Sequence, residues 1–394
     1  MFSFFVNSKI ILYIRIMKIK DLIDVENRKY KWDVIKSIPE FAELKNCKQS
    51  TKWHQEGNAW NHTKLVCEAA VKYLDNCGYT FAAFPKLLMA AALFHDIGKG
   101  TTTSFVKGDW HSYGHEFESE KMTRQLLWEE NIEEREIICA LVKNHMVVLD
   151  VLKGKNPLQK IFNISREVKF WKLLCILKKC DLDGSIQADN ESKERDYDTI
   201  SQIQNITIDL NCYERMTAFR GNIEKYKPIV YDMNVWVFIG LPGSGKSTES
   251  EKLSTSAVAN NPLLGSHFPK VIISRDIIRA ELGYCKIGEK VVLSKEQENE
   301  VSKAFNQKMI ETAKRGFDII LDNINLKREY RDAYKETLKD FNVKWNYVYV
   351  QADSLEKNIE RRKGQISENV LKDMQKKLDW PDFCEYDTLS ILTN

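Results

Sequence analysis

The sequence predicts two domains of different class: a nearly all-helical N-terminal half and an α/β C-terminal half built on a parallel sheet. Three observations predict this. At 394 residues the chain exceeds what one hydrophobic core usually supports. Up to about residue 185, apolar residues recur at helical spacing, first through His62, Leu65, Val66, Ala69, Ala70, Tyr73 and Leu74, then in LLMAAALF, IICALV and WKLLCIL. Beyond about residue 230, four short β-rich runs alternate with helix-compatible segments: VWVFI (235–239), VIIS (271–274), DIIL (318–321) and YVYV (347–350). That alternation is the pattern of a parallel sheet covered on both faces.

Composition sets bounds. A hydrophobic content of 43% and a charged content of 29% are those of a soluble globular protein. The net charge of +3 neither demands nor excludes a nucleic-acid partner, so any phosphate binding must rest on local clusters. Nine scattered cysteines with no CxxC pair exclude a zinc clamp of that type and fit a reducing cytoplasm. The opening MFSFFVNSKIILYIRI is apolar, but Lys9 and Arg15 interrupt it, no basic stretch precedes it and no small-residue cleavage site follows. Residues 1–16 are therefore expected to be an extension ahead of Met17, and no membrane partner is expected. The polar stretch ADNESKERDYDT (188–199) reads as an excursion or the start of a linker. The expected boundaries are 17–210 for the helical domain, 211–232 for the linker and 233–394 for the α/β domain.

In the helical half, six of the seven histidines fall between positions 54 and 145. His62 starts a helix-like run, and His95-Asp96 closes LLMAAALF, with Gly98 as a helix stop. His115 lies in HSYGHE, His145 ends CALVKNH and Asp181 ends CILKKCD. Imidazole and carboxylate together suit borderline divalent transition metals, and polar ligands at the ends of apolar helices are what a metal site in a bundle core looks like in sequence. Asp183 competes with Asp181 for its role, although Asp181 directly ends the apolar run.

The order His62, His95-Asp96, His115, His145, Asp181 resembles the HD phosphohydrolase superfamily over about residues 50–185. HDIGKGT followed by HSYGHE is similar to HD domains found beside RNA-end enzymes. The resemblance implies that His62, His95, Asp96 and Asp181 form the core metal set and that His115 and His145 hold a second ion. One or two divalent transition metals (Mn, Co, Ni, Zn or Fe) are then the cofactor. Two such ions activate a water and clamp both oxygens of a phosphoester displacement. Lys99, one turn beyond the doublet, is placed to contact substrate phosphate, and His54 and His111 remain as structural or peripheral residues.

In the α/β half, GLPGSGKST follows VWVFI, and Gly240, Gly245, Lys246 and Ser247 satisfy GxxxxGK[ST]. Such a loop (Gly240, Gly243, Ser244, Gly245, Lys246, Ser247, Thr248) turns its N–H groups toward phosphate oxygens. Lys246 would reach the β and γ phosphates, and the Ser247 hydroxyl would hold Mg²⁺, which makes ATP or another NTP with Mg²⁺ the expected cofactor. VIISRDIIR then ends a strand with Arg275, Asp276 and Arg279. Aspartate near a helix start offsets unpaired amides. If the two strands lie close, Asp276 can also take a proton from an attacking hydroxyl while Arg279 grips a phosphate on the acceptor. The basic run KNIERRKG puts Lys357 and Arg361 on one helix face, as solvated surface or as a lid over the transferring phosphoryl group. Asp322 in LDNINL is a turn residue, orients Mg²⁺-bound water, or serves the adenosine side.

GLPGSGKS, SRDxxR, LDNxNL and the basic lid together resemble, in order and spacing, the phage polynucleotide 5′-kinase domain over roughly residues 233–394. That resemblance implies Asp276 as general base for the 5′-hydroxyl, Arg279 on the acceptor's neighbouring phosphate, and Arg361 on the donor phosphates, with Arg362 one position away. The whole chain resembles bacterial fusions of an HD domain to a polynucleotide kinase. The implied activities are phosphorylation of 5′-hydroxyl ends and removal of a 2′,3′-cyclic or terminal phosphate, with RNA or DNA ends as substrate and a separate RNA ligase as partner. Two other readings compete: an HD nucleotide hydrolase fused to a small-molecule kinase, and a nucleotide-gated binding module.

Overall fold

The computed structural model describes residues 16–76, 83–187, 189–207, 231–255, 269–287, 289, 291–362 and 365–394. The chain divides into two compact units, Met1–Tyr213 and Glu214–Asn394. Of the expected extension and linker, all but Ile16, Tyr231 and Asp232 lie outside the described residues.

The first unit is helical around one large core, and six of its helices are α1 (Ala59–Asn76), α2 (Phe84–Phe94), α3 (His115–Leu126), α4 (Ile132–Asn144), α5 (Trp171–Gly184) and α6 (Asn190–Thr207). Helix α2, FPKLLMAAALF, is apolar around most of its circumference, so it is buried rather than amphipathic. On α1, buried His62, Val66, Ala70 and Leu74 recur every four residues and form one inward stripe. Gly184 at the end of α5 lies against it, where an added Cβ would sit 2.6 Å from the Val66 backbone nitrogen. That close approach brings Asp181 to His62.

Among the described residues the half is nearly all helix, as expected, with two short antiparallel hairpins that join β1 (Ile23–Asp24) to β2 (Lys29–Tyr30) and β3 (Ser104–Val106) to β4 (Asp109–His111). The second hairpin turns through Lys107 and Gly108, both at positive φ (51° and 89°), a two-residue loop whose twist suits a hairpin. The segment expected to open a linker instead forms α6, because Ile200 and Ile203, three apart, are fully buried. Gly98 is no left-handed helix stop; it lets the chain pass α3, since a Cβ there would stand 2.5 Å from the Ser119 nitrogen.

The second unit is a five-stranded parallel sheet of β5 (Met233–Ile239), β6 (Lys270–Ile273), β7 (Asp318–Asp322), β8 (Val343–Gln351) and β9 (Thr388–Thr393), in the order β6-β7-β5-β8-β9. Its helices include α7 (Lys246–Thr255), α8 (Arg275–Glu281), α9 (Lys295–Lys314), α10 (Arg328–Thr337), α11 (Leu355–Arg361) and α12 (Glu368–Lys376). β5 is central, and its carboxyl end delivers the glycine-rich loop into α7. β7 stands between β5 and β6, so the strand that leads to Arg275 is not the immediate neighbour of the one that leads to Gly240. β9 is an addition to the four expected strands; at the sheet edge and half exposed, its TLSILT carries only a weak alternating signal.

Candidate metal centre and phosphate site

Each metal-ligand candidate of the first unit is set by a helix end: His62 in the first turn of α1, His95 capping α2, His115 opening α3, His145 capping α4, and Asp181 in the last turn of α5. These ends converge on two triads, His62–His95–Asp181 and Asp96–His115–His145, each with donor atoms within 4.8 Å of one another. In the first, His62 Nε2 lies 2.9 Å from Asp181 Oδ1 and 3.4 Å from His95 Nε2. In the second, His115 Nε2 lies 3.1 Å from Asp96 Oδ1 and 3.3 Å from His145 Nε2. Asp96 joins them, because its other oxygen stands 3.3 Å from His95 Nε2 and 3.5 Å from His62 Nε2.

The donor set fits a pair of divalent ions for a reason visible in the hydrogen bonds. Nδ1 of His95, His115 and His145 faces the carbonyls of Ala92, Ser112 and Val142 at 2.8, 2.8 and 2.7 Å. A carbonyl only accepts, so Nδ1 carries the proton and the Nε2 lone pair points into the cluster. Lone pairs 3.3 Å apart, as between His115 and His145, repel unless a cation lies between them. Both oxygens of buried Asp96 also lack a well-formed hydrogen bond, although Lys99 Nζ stands 2.6 Å from Oδ2.

Electrostatics favour a cation beside Asp96, whereas at His62 a proton competes with a metal for the ring. Burial alone would raise the Asp96 carboxyl, but His95 and Lys99 hold it well below the usual range. Burial likewise works against a charged His62, yet the Asp181 and Glu56 carboxylates outweigh it and raise that imidazole to about 9. Two partners were not expected from sequence. Glu56 Oε1 lies 3.0 Å from His62 Nδ1 and 2.7 Å from His54 Nδ1, which puts His54 against the centre rather than at its periphery. Lys178 Nζ lies 2.6 Å from Asp181 Oδ2. Lys178 stands at the i,i+3 helical spacing from Asp181, whereas Glu56 lies ahead of the helix that carries His62 and is revealed only by the tertiary fold. Asp183 accepts from the Tyr197 hydroxyl and belongs to neither triad, and His111 stacks on Tyr113. Lys99 lines the cavity above the centre, about 420 Å³ in volume, and also donates to Gln49 Oε1 at 2.8 Å.

In the second unit, Lys246 folds back over its own loop and donates to the Gly240 and Leu241 carbonyls at 2.9 and 2.8 Å. Gly243, Gly245, Lys246, Ser247, Thr248, Arg361 and Arg362 line a cavity of about 530 Å³. Ser244, also of the loop, is buried. Asp322 ends β7 beside this cavity and accepts from Ser250 at 3.3 Å and from Ser247, which places it on the Ser247 side; burial raises its carboxyl above the usual range. Arg361 Nη1 donates to the Gly243 carbonyl at 3.1 Å, whereas Lys357, on the same helix, pairs with Asp353.

Ser274 caps α8, and Asp276 follows in its first turn with its side chain 71% exposed. Asp276 is near enough to act on the charges of both Lys246 and Asp322 despite the intervening strand. Arg279 donates to Asp276 Oδ1 at 2.8 Å and to Glu298 Oε1 at 2.9 Å. Arg275, which had no sequence explanation, donates to Glu298 Oε2 at 2.7 Å and Ser302 Oγ at 3.0 Å, tying α8 to α9.

These two sites define the class: an N-terminal helical HD domain and a C-terminal P-loop, kinase-like α/β domain in one chain. Family models described as an HD domain and an AAA domain match residues 59–167 and 235–381 respectively. Among curated proteins, the Multifunctional CCA proteins of Actinobacillus pleuropneumoniae serotype 5b (strain L20) and serotype 7 (strain AP76) are each 38% identical over 89 residues, 23% of this chain. The match spans 20% of those relatives' own length. Similar solved structures include the Pnkp1/Rnl/Hen1 complex (17% identity, 36% of this chain and 44% of that one, TM-score 0.28). A putative kinase from Chloroflexus aurantiacus j-10-fl is 17% identical over 42% of this chain and 86% of its own, with a TM-score of 0.31. A gluconokinase from Sinorhizobium meliloti 1021 is 20% identical over 41% and 84%, with a TM-score of 0.28. Among the described residues no helix is long and apolar enough to cross a membrane.

Proposed function

We propose that the chain is a bifunctional RNA end-healing enzyme: the P-loop unit phosphorylates 5′-hydroxyl ends from ATP, and the HD unit removes a 2′,3′-cyclic, 2′- or 3′-phosphate. The observation that supports an alcohol acceptor is the position of Asp276, exposed beyond β6 yet within electrostatic reach of Lys246 and Asp322. In this reading Asp276 takes the proton of the attacking hydroxyl. Lys246 and Arg361 stabilise charge on the transferring phosphoryl group, with Arg362 beside them. Asp322 and Ser247 would hold Mg²⁺. Arg279 exchanges its Glu298 contact for the phosphate that neighbours the acceptor hydroxyl, a bidentate match.

In the HD unit, His62, His95, Asp96 and Asp181 would hold one divalent ion, and Asp96, His115 and His145 the other. Bound there, they would supply Lewis acidity and an activated water. The protein's own part is orientation: three backbone carbonyls and Glu56 fix the four imidazoles, and Lys99 meets the substrate phosphate. Product RNA with a 5′-phosphate and a free 3′ end is the form a separate ligase takes.

Separation of function tests the proposal. Asp276→Ala should abolish phosphate transfer from ATP to a 5′-hydroxyl oligonucleotide and leave metal-dependent end dephosphorylation intact; Asp96→Asn should do the reverse. Loss of both activities in either folded variant contradicts two separate sites. Turnover of mononucleotides with indifference to oligonucleotides favours a nucleotide hydrolase fused to a small-molecule kinase.

A further inference from the structure

The HD cavity has a wall that the metal chemistry does not use. Trp53 lines it while 40% exposed, and Met146, directly after His145, lines it while 42% exposed. Lys52 Nζ lies over the Trp53 ring, 4.6 Å from its centroid. Single exposed apolar side chains are ordinary on protein surfaces and need no explanation; Val292, 90% exposed, is one. Trp53 differs in where it stands and in what holds it.

The loop that carries Trp53 is tied on every side. Ser50 Oγ donates to Asp109 Oδ2 at 2.6 Å, Gln49 accepts from Lys99 at 2.8 Å, the Gln55 N–H donates to the Ile186 carbonyl at 2.8 Å, and Glu56 receives His54 and His62. An indole on such an anchored strap is held beside the cavity rather than free to fold away. A cation beside an indole on a cavity wall matches a nucleotide, which brings a base and a phosphate together.

We propose that Trp53 is a base-stacking subsite of the HD cavity, so that the phosphoester cleaved there is carried by a nucleoside whose base stacks on the indole beside Lys52. The inference rests on the HD cavity being a hydrolytic site, and it does not depend on the substrate being a polymer.

The test uses the full-length, Mn²⁺-loaded protein and matched phosphoesters with and without a base. One pair is an oligoribonucleotide ending in adenosine 3′-phosphate and the same strand ending in an abasic 3′-phosphate; the other is adenosine 3′-phosphate and ribose 3-phosphate. Wild type should favour the base-bearing member in kcat/KM by on the order of 5- to 150-fold, the range expected for one stacked base. Trp53→Ala should bring that preference close to one and leave the abasic rate unchanged, whereas Trp53→Phe should keep most of it. An unaltered preference in Trp53→Ala, a parallel loss on both members, or no turnover of any of them overturns the subsite. Turnover of the mononucleotides alone, with the Trp53-dependent preference intact, contradicts end healing and leaves the subsite standing.

Discussion

Lys246 carries a buried charge whose cost can be measured. Its ammonium bonds to two neutral carbonyls, and burial pushes its pKa down to about 8 from 10.5, with Asp322 and Asp276 offsetting only part of that burial. Between those values the unfolded chain holds a proton that the folded chain has lost. Stability of the nucleotide-free protein therefore rises with pH from about 8 to 10.5, and the full penalty is present below 8. A fall of that size corresponds to about 3 kcal/mol, of which roughly 2 kcal/mol is relieved between pH 7 and pH 9.5. For a unit the size of Glu214–Asn394 this is roughly 4–8 °C in Tm. The perturbation is Lys246→Met, which removes the titrating charge. Thermal unfolding of both proteins without nucleotide, at pH 7, 8 and 9.5, should show wild type gaining that amount relative to the variant as pH rises. Phosphate oxygens would stabilise the ammonium, so at pH 9 nucleotide binding should take up a proton, read by calorimetry in buffers of different ionisation heat. Parallel pH profiles for the two proteins would refute the reasoning.

Chelation should lower the Tm of the N-terminal unit by roughly 5–11 °C relative to protein with metal at about 100 times its dissociation constant, and Mn²⁺ should restore it. Equal melting with and without chelator would argue against a metal centre. Glu56→Gln removes the carboxylate behind His62 and should weaken metal binding by about 10- to 100-fold, measured by competition with a chromophoric chelator. Gly184→Ala places a methyl against the Val66 backbone; forcing α1 from α5 should cost about 1–3 kcal/mol and loosen metal binding through Asp181.

What was legible in the sequence follows from how local each signal is. GLPGSGKST is a contiguous motif between a strand and a helix, so its position and context could be read directly. The helix-end histidines were legible as a set because apolar periodicity marks where each helix stops. Elements whose reason is tertiary were not. Helix α6 depends on Ile200 and Ile203 finding cover within a charged stretch, and β9 is an edge strand with one wet face. Glu56 and Glu298 act through partners 6 and 19–23 residues away, at spacings no motif announces. Arg275 shows the same limit: nothing in the sequence accounted for its charge, which belongs to the joint between α8 and α9.

The most direct test of end healing is one incubation with ATP, Mg²⁺ and Mn²⁺ and an RNA that carries a 5′-hydroxyl and a 2′,3′-cyclic phosphate, with both ends read by mass spectrometry. The account predicts a gain of one phosphate at the 5′ end and loss of the phosphate at the 3′ end, the first abolished by Asp276→Ala and the second by Asp96→Asn. An RNA recovered unchanged at both ends, from protein that hydrolyses free nucleotides under the same conditions, would contradict it.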